Sequence, residues 1–327
     1  MSTQPGHDAR LIGLHLPLGG GLLKAADRAS VIGARTIQVF TDNPTAWRRR
    51  SGLPAQLAEF RARLAGHGIG PIAVHAPYLV NLAGADAEFW QRSVATLVND
   101  LAVAEAFGAR FLNVHAGSHR GHSRVDGIRR LGEGIARVLR EAPAAADREA
   151  RPLLVVENSV GAGETVGNTL EELAEVVAAA DRFGAPIERV GVCLDTAHLW
   201  AYGYRLDRPK AVDVLAERAH ELLGDRLVMI HLNDARTACG SRVDRHEHIG
   251  AGQIGAAAIR RLLEHPRLGR LPTVLETPGM DAGYDLVNME RVRLLLAGNE
   301  RLPVLPPEAF QTRGSRSRSA PPAADEA

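Results

Sequence analysis

The sequence predicts a (β/α)₈ barrel, and three observations lead to that fold class. Eight apolar runs of strand length recur along the 327 residues, and a longer helical pattern follows each of them. The runs are apolar throughout, as expected when both faces of a parallel sheet are buried. No GxGxxG fingerprint directly follows any of the eight predicted strands, so a doubly wound open sheet is the less favoured alternative.

Each predicted strand is a short apolar segment that ends at a polar or glycine-rich stretch. Glycine, proline and asparagine clusters after these segments mark the turns that separate strand from helix. In chain order the predicted strands are Leu11–Leu16, Thr36–Phe40, Ile72–Val74, Phe111–Val114, Leu153–Val156, Val190–Leu194, Leu227–Ile230 and Thr273–Leu275.

Between the strands, apolar residues at helical spacing predict eight helices. Gly33 and Gly66 close the first two, as is common at helix C-termini. The predicted helices are Leu22–Ile32, Leu53–Ala65, Glu88–Phe107, Ile128–Leu139, Leu170–Ala180, Ala211–Leu222, Ala256–Leu263 and Leu286–Leu296. The composition shifts to Pro, Ser, Arg and Ala near Pro306. We therefore predict one barrel domain over residues 1–305 and a disordered tail over residues 306–327.

The bulk composition excludes some classes of protein. The net charge of +1 favours neither a nucleic-acid coat nor a membrane-surface protein. Cys193 and Cys239 give no disulfide framework and no CxxC motif. The N-terminus lacks the pattern of a signal peptide, and no apolar run approaches the roughly 18 residues of a membrane span. We expect a reduced, monomeric protein of the cytoplasm.

Metal-capable side chains follow the last apolar residue of six consecutive predicted strands. In a parallel barrel these ends meet at the C-terminal mouth, where active sites are built. The six are His75, His115, Glu157, Asp195, His231 and Glu276. His198 follows Asp195 by three residues, and Asp244 and His246 come from the long loop after the seventh strand. Nine candidate ligands are therefore expected to converge on one opening.

Each of these residues alone has a simpler structural interpretation. A single histidine at a strand end is more often a hydrogen-bonded core residue, a single buried glutamate usually pairs with an arginine, and Asp195 could cap a helix. Taken together, so many acids would form a repelling, desolvated cluster that cations would neutralise. By contrast, six histidines lie in predicted helices, loops or the terminus and are expected to be surface or local structural residues: His7, His67, His119, His122, His220 and His265.

Imidazole and carboxylate ligands suit Zn²⁺ or Mn²⁺, and nine ligands exceed the needs of one catalytic zinc ion. They suit a site of two or three metal ions with bridging carboxylates. Such sites support phosphoester hydrolysis, in which one ion generates the nucleophile and the others hold the phosphoryl and leaving oxygens.

Several short motifs at these positions resemble the endonuclease IV family of apurinic/apyrimidinic endonucleases, within the xylose-isomerase-like barrels. GSRVDRH is the most specific of them, and the resemblance covers roughly residues 10 to 300. The motifs are HAPY at 75–78, NLA at 81–83, NVH at 113–115, VEN at 156–158, LDTAH at 194–198, HLND at 231–234, GSRVDRH at 240–246 and LETP at 275–278.

The resemblance implies three zinc ions, with Mn²⁺ as an alternative at some positions. It implies a first ion on His75, His115 and Glu157, a second on Glu157, Asp195, His231 and Glu276, and a third on His198, Asp244 and His246. It also implies cleavage of damaged double-stranded DNA 5′ to an abasic site, leaving a 3′-hydroxyl and a 5′-deoxyribose phosphate. Glu157 and Glu276 would be catalytic, and Tyr78 would insert near the abasic nucleotide.

Two arginines beside the ligand Asp244 suit a second role. Arg242 and Arg245 are expected to bind DNA phosphates, because guanidinium pairs with phosphate in a bidentate manner. The alternative for both is a local salt bridge to Asp234 or Asp244.

The sequence departs from the family pattern in the loops. Thr45 stands where a bulky residue, often arginine, precedes the loop tryptophan by two positions and intrudes into the duplex. Arg48–Arg50 lie close to Thr45 in the sequence, and one of them is a candidate to replace the missing bulky side chain. Ala116 and Ala162 replace the usual proline and glutamine of their loops. These changes leave the metal ligands intact and affect the part that distorts DNA.

Two other functional classes remain open. A metal-dependent sugar isomerase or epimerase could use the same barrel, but it needs one or two ions, so His198, Asp244 and His246 would be surplus. A lysine-assisted isomerase is not supported, because neither Lys24 nor Lys210 falls at a strand end. A non-catalytic protein that binds DNA or metal is the third possibility.

Overall fold

The computed structural model describes residues 10–143, 151–299 and 301–311, and these residues form a closed barrel of eight parallel strands. Neighbouring strands pair in chain order, and the first strand closes the barrel on the eighth through the pair Gly13–Val274. The barrel strands are Ile12–Leu16, Thr36–Val39, Ile72–His75, Phe111–His115, Leu153–Glu157, Val190–Asp195, Leu227–His231 and Thr273–Leu275. The predicted (β/α)₈ fold is confirmed.

The eight predicted helices surround the barrel, with ends that differ from the prediction by up to one turn. They are Leu22–Val31, Leu57–Gly66, Ala87–Ala106, Arg124–Glu141, Leu170–Arg182, Pro209–Leu223, Ala256–Glu264 and Tyr284–Leu296. None of the helices in the described ranges is both long and apolar enough to cross a membrane.

Local chemistry explains the two largest differences in helix ends. The second helix begins at Leu57 rather than Leu53, because Pro54 starts a turn in which the Leu57 N–H donates to the Pro54 carbonyl. The fourth helix begins about one turn earlier than predicted, at Arg124. The Ser123 side chain caps it by accepting from the Asp126 N–H. Capping serine is a helix-start signal that the apolar periodicity alone does not carry.

The floor of the barrel is apolar. Side chains from six neighbouring strands, the third to the eighth, pack inside the barrel as a separate cluster: Ala73, Phe111, Leu153, Val155, Cys193, Met229 and Val274. Because this cluster lies toward the strand starts, the interior residues nearest the strand ends rest on an apolar surface. The polar side chains at the mouth therefore pack against this apolar cluster, which limits their movement.

Two small elements at the mouth were not predicted. A short helix, Thr196–Tyr202, follows the sixth strand directly, and its N-cap is Asp195. A two-residue antiparallel ladder joins Asp234–Ala235 to His246–Glu247 and closes the loop after the seventh strand. Both are too short to show a periodic pattern in the sequence.

The predicted start of the tail, at residue 306, is too early. Pro307–Gln311 form a 3₁₀ helix, and the buried Ala309 carbonyl accepts a hydrogen bond from His248 Nε2 at 3.1 Å. Phe310 packs its ring edge-on against His248. These contacts attach the segment to the barrel despite its proline-rich composition. Residues 312–327 of the predicted tail lie outside the described residues.

A buried carboxyl on the third helix makes a stability prediction possible. Asp100 is 3% exposed, and its carboxylate accepts a hydrogen bond from the Asn99 amide at 3.1 Å. Burial raises the pKa of Asp100 to about 6, and the nearby charge of Arg49 opposes this only in part. The folded state thus binds this proton more tightly than the unfolded state, so stability falls as pH rises from about 4 to about 6.

We predict that Asp100→Asn raises the free energy of unfolding by about 1–3 kcal/mol at pH 8, since it removes the cost of a buried charge. Urea unfolding of the metal-free protein at about pH 4.5 and pH 8 measures this, and the gain should shrink at the lower pH. The exposed Asp225→Asn is the matched control and should change stability at neither pH. An equal gain at both pH values would contradict the assignment.

Candidate metal centre

The strand ends bring the predicted ligands together at the C-terminal mouth. His75, His115, Glu157, Asp195 and His231 are each the last residue of a barrel strand. Glu276 directly follows the eighth strand. Since parallel strands end on the same side of the barrel, these six side chains project toward one space. Three groups of side chains at this mouth lie close enough to hold metal ions.

The first group contains His75, His115 and Glu157. Glu157 Oε2 lies 3.4 Å from His75 Nε2 and 3.7 Å from His115 Nε2. The other ring nitrogen of His75, Nδ1, is 2.7 Å from the Ala76 carbonyl and donates to it. This bond places the proton on Nδ1, so Nε2 presents a lone pair to the group.

The second group contains Glu157, Asp195, His231 and Glu276. His231 Nδ1 lies 3.3 Å from Glu157 Oε1, 3.3 Å from Glu276 Oε2 and 4.0 Å from Asp195 Oδ2. Glu157 therefore turns one oxygen to the first group and the other to the second. His231, Glu157 and Asp195 are all buried.

The third group contains Asp195, His198 and His246, and Asp244 closes it from the loop. The Asp244 carboxylate lies 3.4 Å from His198 Nε2 and 3.2 Å from His246 Nε2. His246 Nε2 is also 3.6 Å from Asp195 Oδ2, so Asp195 lies between the second and third groups. In both histidines Nδ1 bonds to a backbone carbonyl, that of Asn158 for His198 and that of Glu276 for His246.

The donor set fits divalent cations, because three of the buried atoms that face these groups lack hydrogen-bond partners. Glu157 Oε1, His231 Nδ1 and His246 Nε2 are buried and have no hydrogen-bond partner among the described residues. Buried polar atoms in folded proteins are nearly always paired, so each such atom needs an explanation. Metal ligation supplies one, since imidazole nitrogen and carboxylate oxygen are common ligands of Zn²⁺.

In the third group, a proton and a metal ion would compete for the ring of His246, because nearby carboxylates stabilise either positive charge. Burial alone would favour the neutral ring of His246, but the carboxylates of Asp244 and Asp195 outweigh it and raise its pKa to about 10. Without a cation the group therefore holds a proton at neutral pH. A metal ion that binds there must displace this proton, so its affinity falls as the pH falls.

Asparagine side chains orient the carboxylates. Asn233 donates from Nδ2 to Asp195 Oδ2 at 2.7 Å, and its Oδ1 accepts from the Glu276 N–H at 2.8 Å. Asn113 donates to Glu157 Oε2. These amides hold the carboxyl-bearing residues in place, as hydrogen-bond partners behind the ligands do in metal sites.

The loop with the third group's ligands is anchored by a buried aspartate. Asp234 accepts hydrogen bonds from the N–H groups of Gly252 at 2.9 Å, Ile254 at 2.9 Å and Gly255 at longer range. These bonds close the loop behind the ladder that carries His246. The role of Asp234 is thus to hold the backbone of this loop in place.

The three predicted DNA-binding residues lie around the same mouth. Tyr78 is 48% exposed, and its ring centre is 5.8 Å from that of His115. Arg242 stacks over the Tyr202 ring at 3.8 Å and has a positive φ of 59°. Arg245 donates to the Asp244 backbone carbonyl at 2.7 Å. Arg242 is thus held by an aromatic ring, and Arg245 contacts the backbone of Asp244, which precedes it.

Two further residues of the centre were missed by the sequence reasoning. Gln38 and His15 come from the second and first strands, and both contact Glu276, at 2.7 Å and 3.2 Å. A glutamine inside the otherwise apolar segment of the second strand was the available signal. Both residues lie within their strands, whereas the predicted ligands were those that follow the apolar strand segments.

Comparison with known proteins agrees with this geometry. A family model described as xylose isomerase-like TIM barrel matches residues 26–297. A probable endonuclease 4 from Methanoculleus marisnigri is 38% identical over 286 residues, which cover 87% of this chain and 98% of that protein.

Among solved structures with the same fold, sequence identity distinguishes members of the family from more distant barrels. Endonuclease IV from Thermus thermophilus has a TM-score of 0.75 and 36% identity, and the match covers 89% of this chain and 100% of that one. A 3-keto-D-glucoside 4-epimerase from E. coli has a TM-score of 0.61 over 88% of this chain and 99% of that one, but only 13% identity, so it shares the fold alone. The chain therefore belongs to the endonuclease IV family of xylose isomerase-like TIM barrels.

Proposed function

We propose that this protein is a metal-dependent apurinic/apyrimidinic endonuclease of base excision repair. It hydrolyses the phosphodiester 5′ to an abasic site in duplex DNA and leaves a 3′-hydroxyl and a 5′-deoxyribose phosphate. The main support is the convergence of nine candidate ligands on one mouth, eight of them in the three groups and Asp244 beside the third. Three of their buried atoms lack hydrogen-bond partners among the described residues. Membership of the endonuclease IV family supports the same activity.

We assign three zinc ions to the three groups. The first would be held by His75, His115 and Glu157, and the second by Glu157, Asp195, His231 and Glu276. The third would be held by His198, Asp244 and His246, with the Asp195 carboxylate close by. Bound ions would act as Lewis acids toward the phosphodiester and make a nucleophilic water acidic enough to react near neutral pH.

Two carboxylates carry the proposed catalytic roles. Glu157 lies between the first and second groups with one oxygen facing each, so it fixes their separation. Glu276 is 19% exposed at its side chain, whereas Glu157 is 1% exposed. Glu276 is therefore the acid of the second group that a substrate phosphate can approach.

Residues at the rim would hold the DNA. Arg242 and Arg245 flank the ligand Asp244 and would bind phosphates next to the scissile bond. The exposed Tyr78 ring stands beside the first group and would pack against the abasic nucleotide. These contacts are sequence-independent, as expected for an enzyme that recognises a missing base.

The proposal predicts cleavage of a labelled duplex that carries one tetrahydrofuran abasic analogue. This analogue cannot undergo β-elimination, so a 3′-hydroxyl product 5′ to the lesion demonstrates hydrolysis. Glu276→Gln is the matched control, because it keeps the shape and removes one charge of the second group. It should lower the rate by at least about 100-fold, since a lost outer partner alone costs roughly 10–100-fold.

Chelation of the wild-type enzyme should likewise abolish cleavage, and added zinc should restore it. Bound ions without any cleavage would contradict the proposal and favour a sugar isomerase or epimerase on the same barrel. An unchanged rate in Glu276→Gln would remove that residue from the catalytic set.

The loop after the second strand generates a separate prediction about DNA binding. Thr45 is exposed, and its hydroxyl donates to Asn43 Oδ1 at 2.9 Å within the loop. Arg49 turns inward and donates to the loop carbonyls of Asn43, Ala46 and Trp47, so it stabilises the loop itself. The tip of the loop therefore lacks a long cationic side chain at residue 45.

Thr45→Arg should tighten binding to an abasic duplex several-fold and steepen its salt dependence by about one unit, because one more phosphate is neutralised. Thr45→Gln, which adds length but no charge, should leave the salt dependence as in the wild type. Fluorescence anisotropy at several salt concentrations, with the catalytically impaired Glu276→Gln background, measures both. Equal salt slopes for the arginine and glutamine variants would show that this loop does not reach the duplex.

A further inference from the structure

One fully buried amide connects two of the proposed ligands to the second strand of the barrel. Gln38 lies in the middle of the second strand and is 0% exposed. Its Nε2 is 2.7 Å from Glu276 Oε1, and its Oε1 is 3.0 Å from His231 Nε2. The second strand contributes none of the nine ligands, so Gln38 links this strand to the centre.

The chemistry of the partners allows only one orientation of this amide. An ionised carboxylate can only accept hydrogen bonds, so the NH₂ end of Gln38 must face Glu276. The carbonyl end then faces His231 and can only accept. Nε2 of His231 must therefore carry the ring proton and donate it to Gln38.

This orientation decides which nitrogen of His231 is available to a metal ion. With the proton on Nε2, the Nδ1 lone pair faces Glu157 Oε1 and Glu276 Oε2, both at 3.3 Å. That Nδ1 is one of the buried atoms that have no hydrogen-bond partner in the part of the chain that the structure describes. The same amide also fixes Glu276 by its Oε1, which leaves Oε2 facing His231 Nδ1, where it would be available to an ion.

His15 of the first strand contacts both Gln38 and Glu276. His15 Nδ1 lies 3.0 Å from Gln38 Nε2 and 3.2 Å from Glu276 Oε1. Either neutral tautomer of His15 suits the orientation of the amide, because Nδ1 can accept from Gln38 or donate to Glu276. A flipped amide would instead turn its carbonyl toward the Glu276 carboxylate, which would repel it.

We propose that Gln38 is a positioning residue that selects the tautomer of His231 and orients Glu276, and so sets the affinity of the second ion. The inference rests on the metal assignment made under the proposed function. Gln38 touches neither substrate nor ion in this scheme and acts through its two partners. Outer partners of metal-ligating histidines typically contribute about 10–100-fold to metal affinity.

The test compares Gln38→Met, which keeps the length but removes both hydrogen bonds, with the wild-type protein. Zinc affinity is measured by competition with a chromophoric chelator, and ring-nitrogen NMR of the zinc-loaded protein identifies the ligating nitrogen of His231. Gln38→Met should bind one zinc ion about 10–100-fold more weakly, retain the others, and alter the His231 nitrogen resonances. Unchanged affinities together with unchanged resonances would overturn the proposal.

Two further variants separate positioning from general damage to the fold. Thr36→Val removes a buried hydroxyl from the same strand, where it donates to the Pro71 carbonyl away from the centre. It should lower stability without changing any zinc affinity. Gln38→Glu keeps an acceptor for His231, so Nδ1 should remain the ligating nitrogen there; a changed ligating nitrogen in this variant would contradict the tautomer assignment.

These readouts distinguish the inference from the proposed activity. A wild-type protein that binds the second ion but does not cleave abasic DNA would contradict the endonuclease proposal alone. A wild-type protein that binds no ion at His231 would overturn the metal assignment and this inference with it.

Discussion

Mutual repulsion among buried carboxylates is the constraint on which the rest of the site depends. Ligand oxygens of Glu157, Asp195 and Glu276 lie within 4.8 Å of one another at the mouth of the barrel. At an effective dielectric constant of about 20, two such charges repel by roughly 3–4 kcal/mol. Cations that bridge them would turn this cost into a favourable interaction. Glu157 Oε1 and His231 Nδ1 face the same space and have no hydrogen-bond partner among the described residues.

The barrel provides what this charge cluster needs. Each of several parallel strands places one side chain at the same rim of the barrel. The apolar cluster inside the barrel packs against these side chains. Backbone carbonyls then fix the imidazole rings, through bonds such as those from His75 to Ala76 and from His246 to Glu276. The candidate ligands are therefore held in place by the protein itself, which would limit the cost of ordering them around an ion.

The sequence was sufficient to predict the barrel and the convergence of the nine ligands, because both follow from a simple rule. Residues that follow apolar strands in a parallel barrel share one face, so His75 and Glu276 could be placed together across the chain. The ligand assignment itself stays a prediction, as do the roles of Arg242 and Arg245.

Features that depend on contacts between distant segments could not be read from local pattern. Gln38 reaches His231 across 193 positions of the chain, and no spacing rule predicts that pair. The ordered segment at Pro307–Gln311 was predicted as tail because its composition resembles a linker, whereas its packing on His248 is a tertiary contact. The ladder between Asp234–Ala235 and His246–Glu247 has only two residues on each side, which is too short to show a periodic pattern.

The central claim is that three cations hold the carboxylates of this mouth together. Anomalous diffraction at the zinc edge, from crystals of protein purified without chelator and supplied with zinc, tests it most directly. The account predicts three strong peaks, one in each group, with the middle peak next to His231 Nδ1. Crystals with no anomalous peak among these residues, and with the carboxylates instead paired to protonated imidazoles, would contradict it.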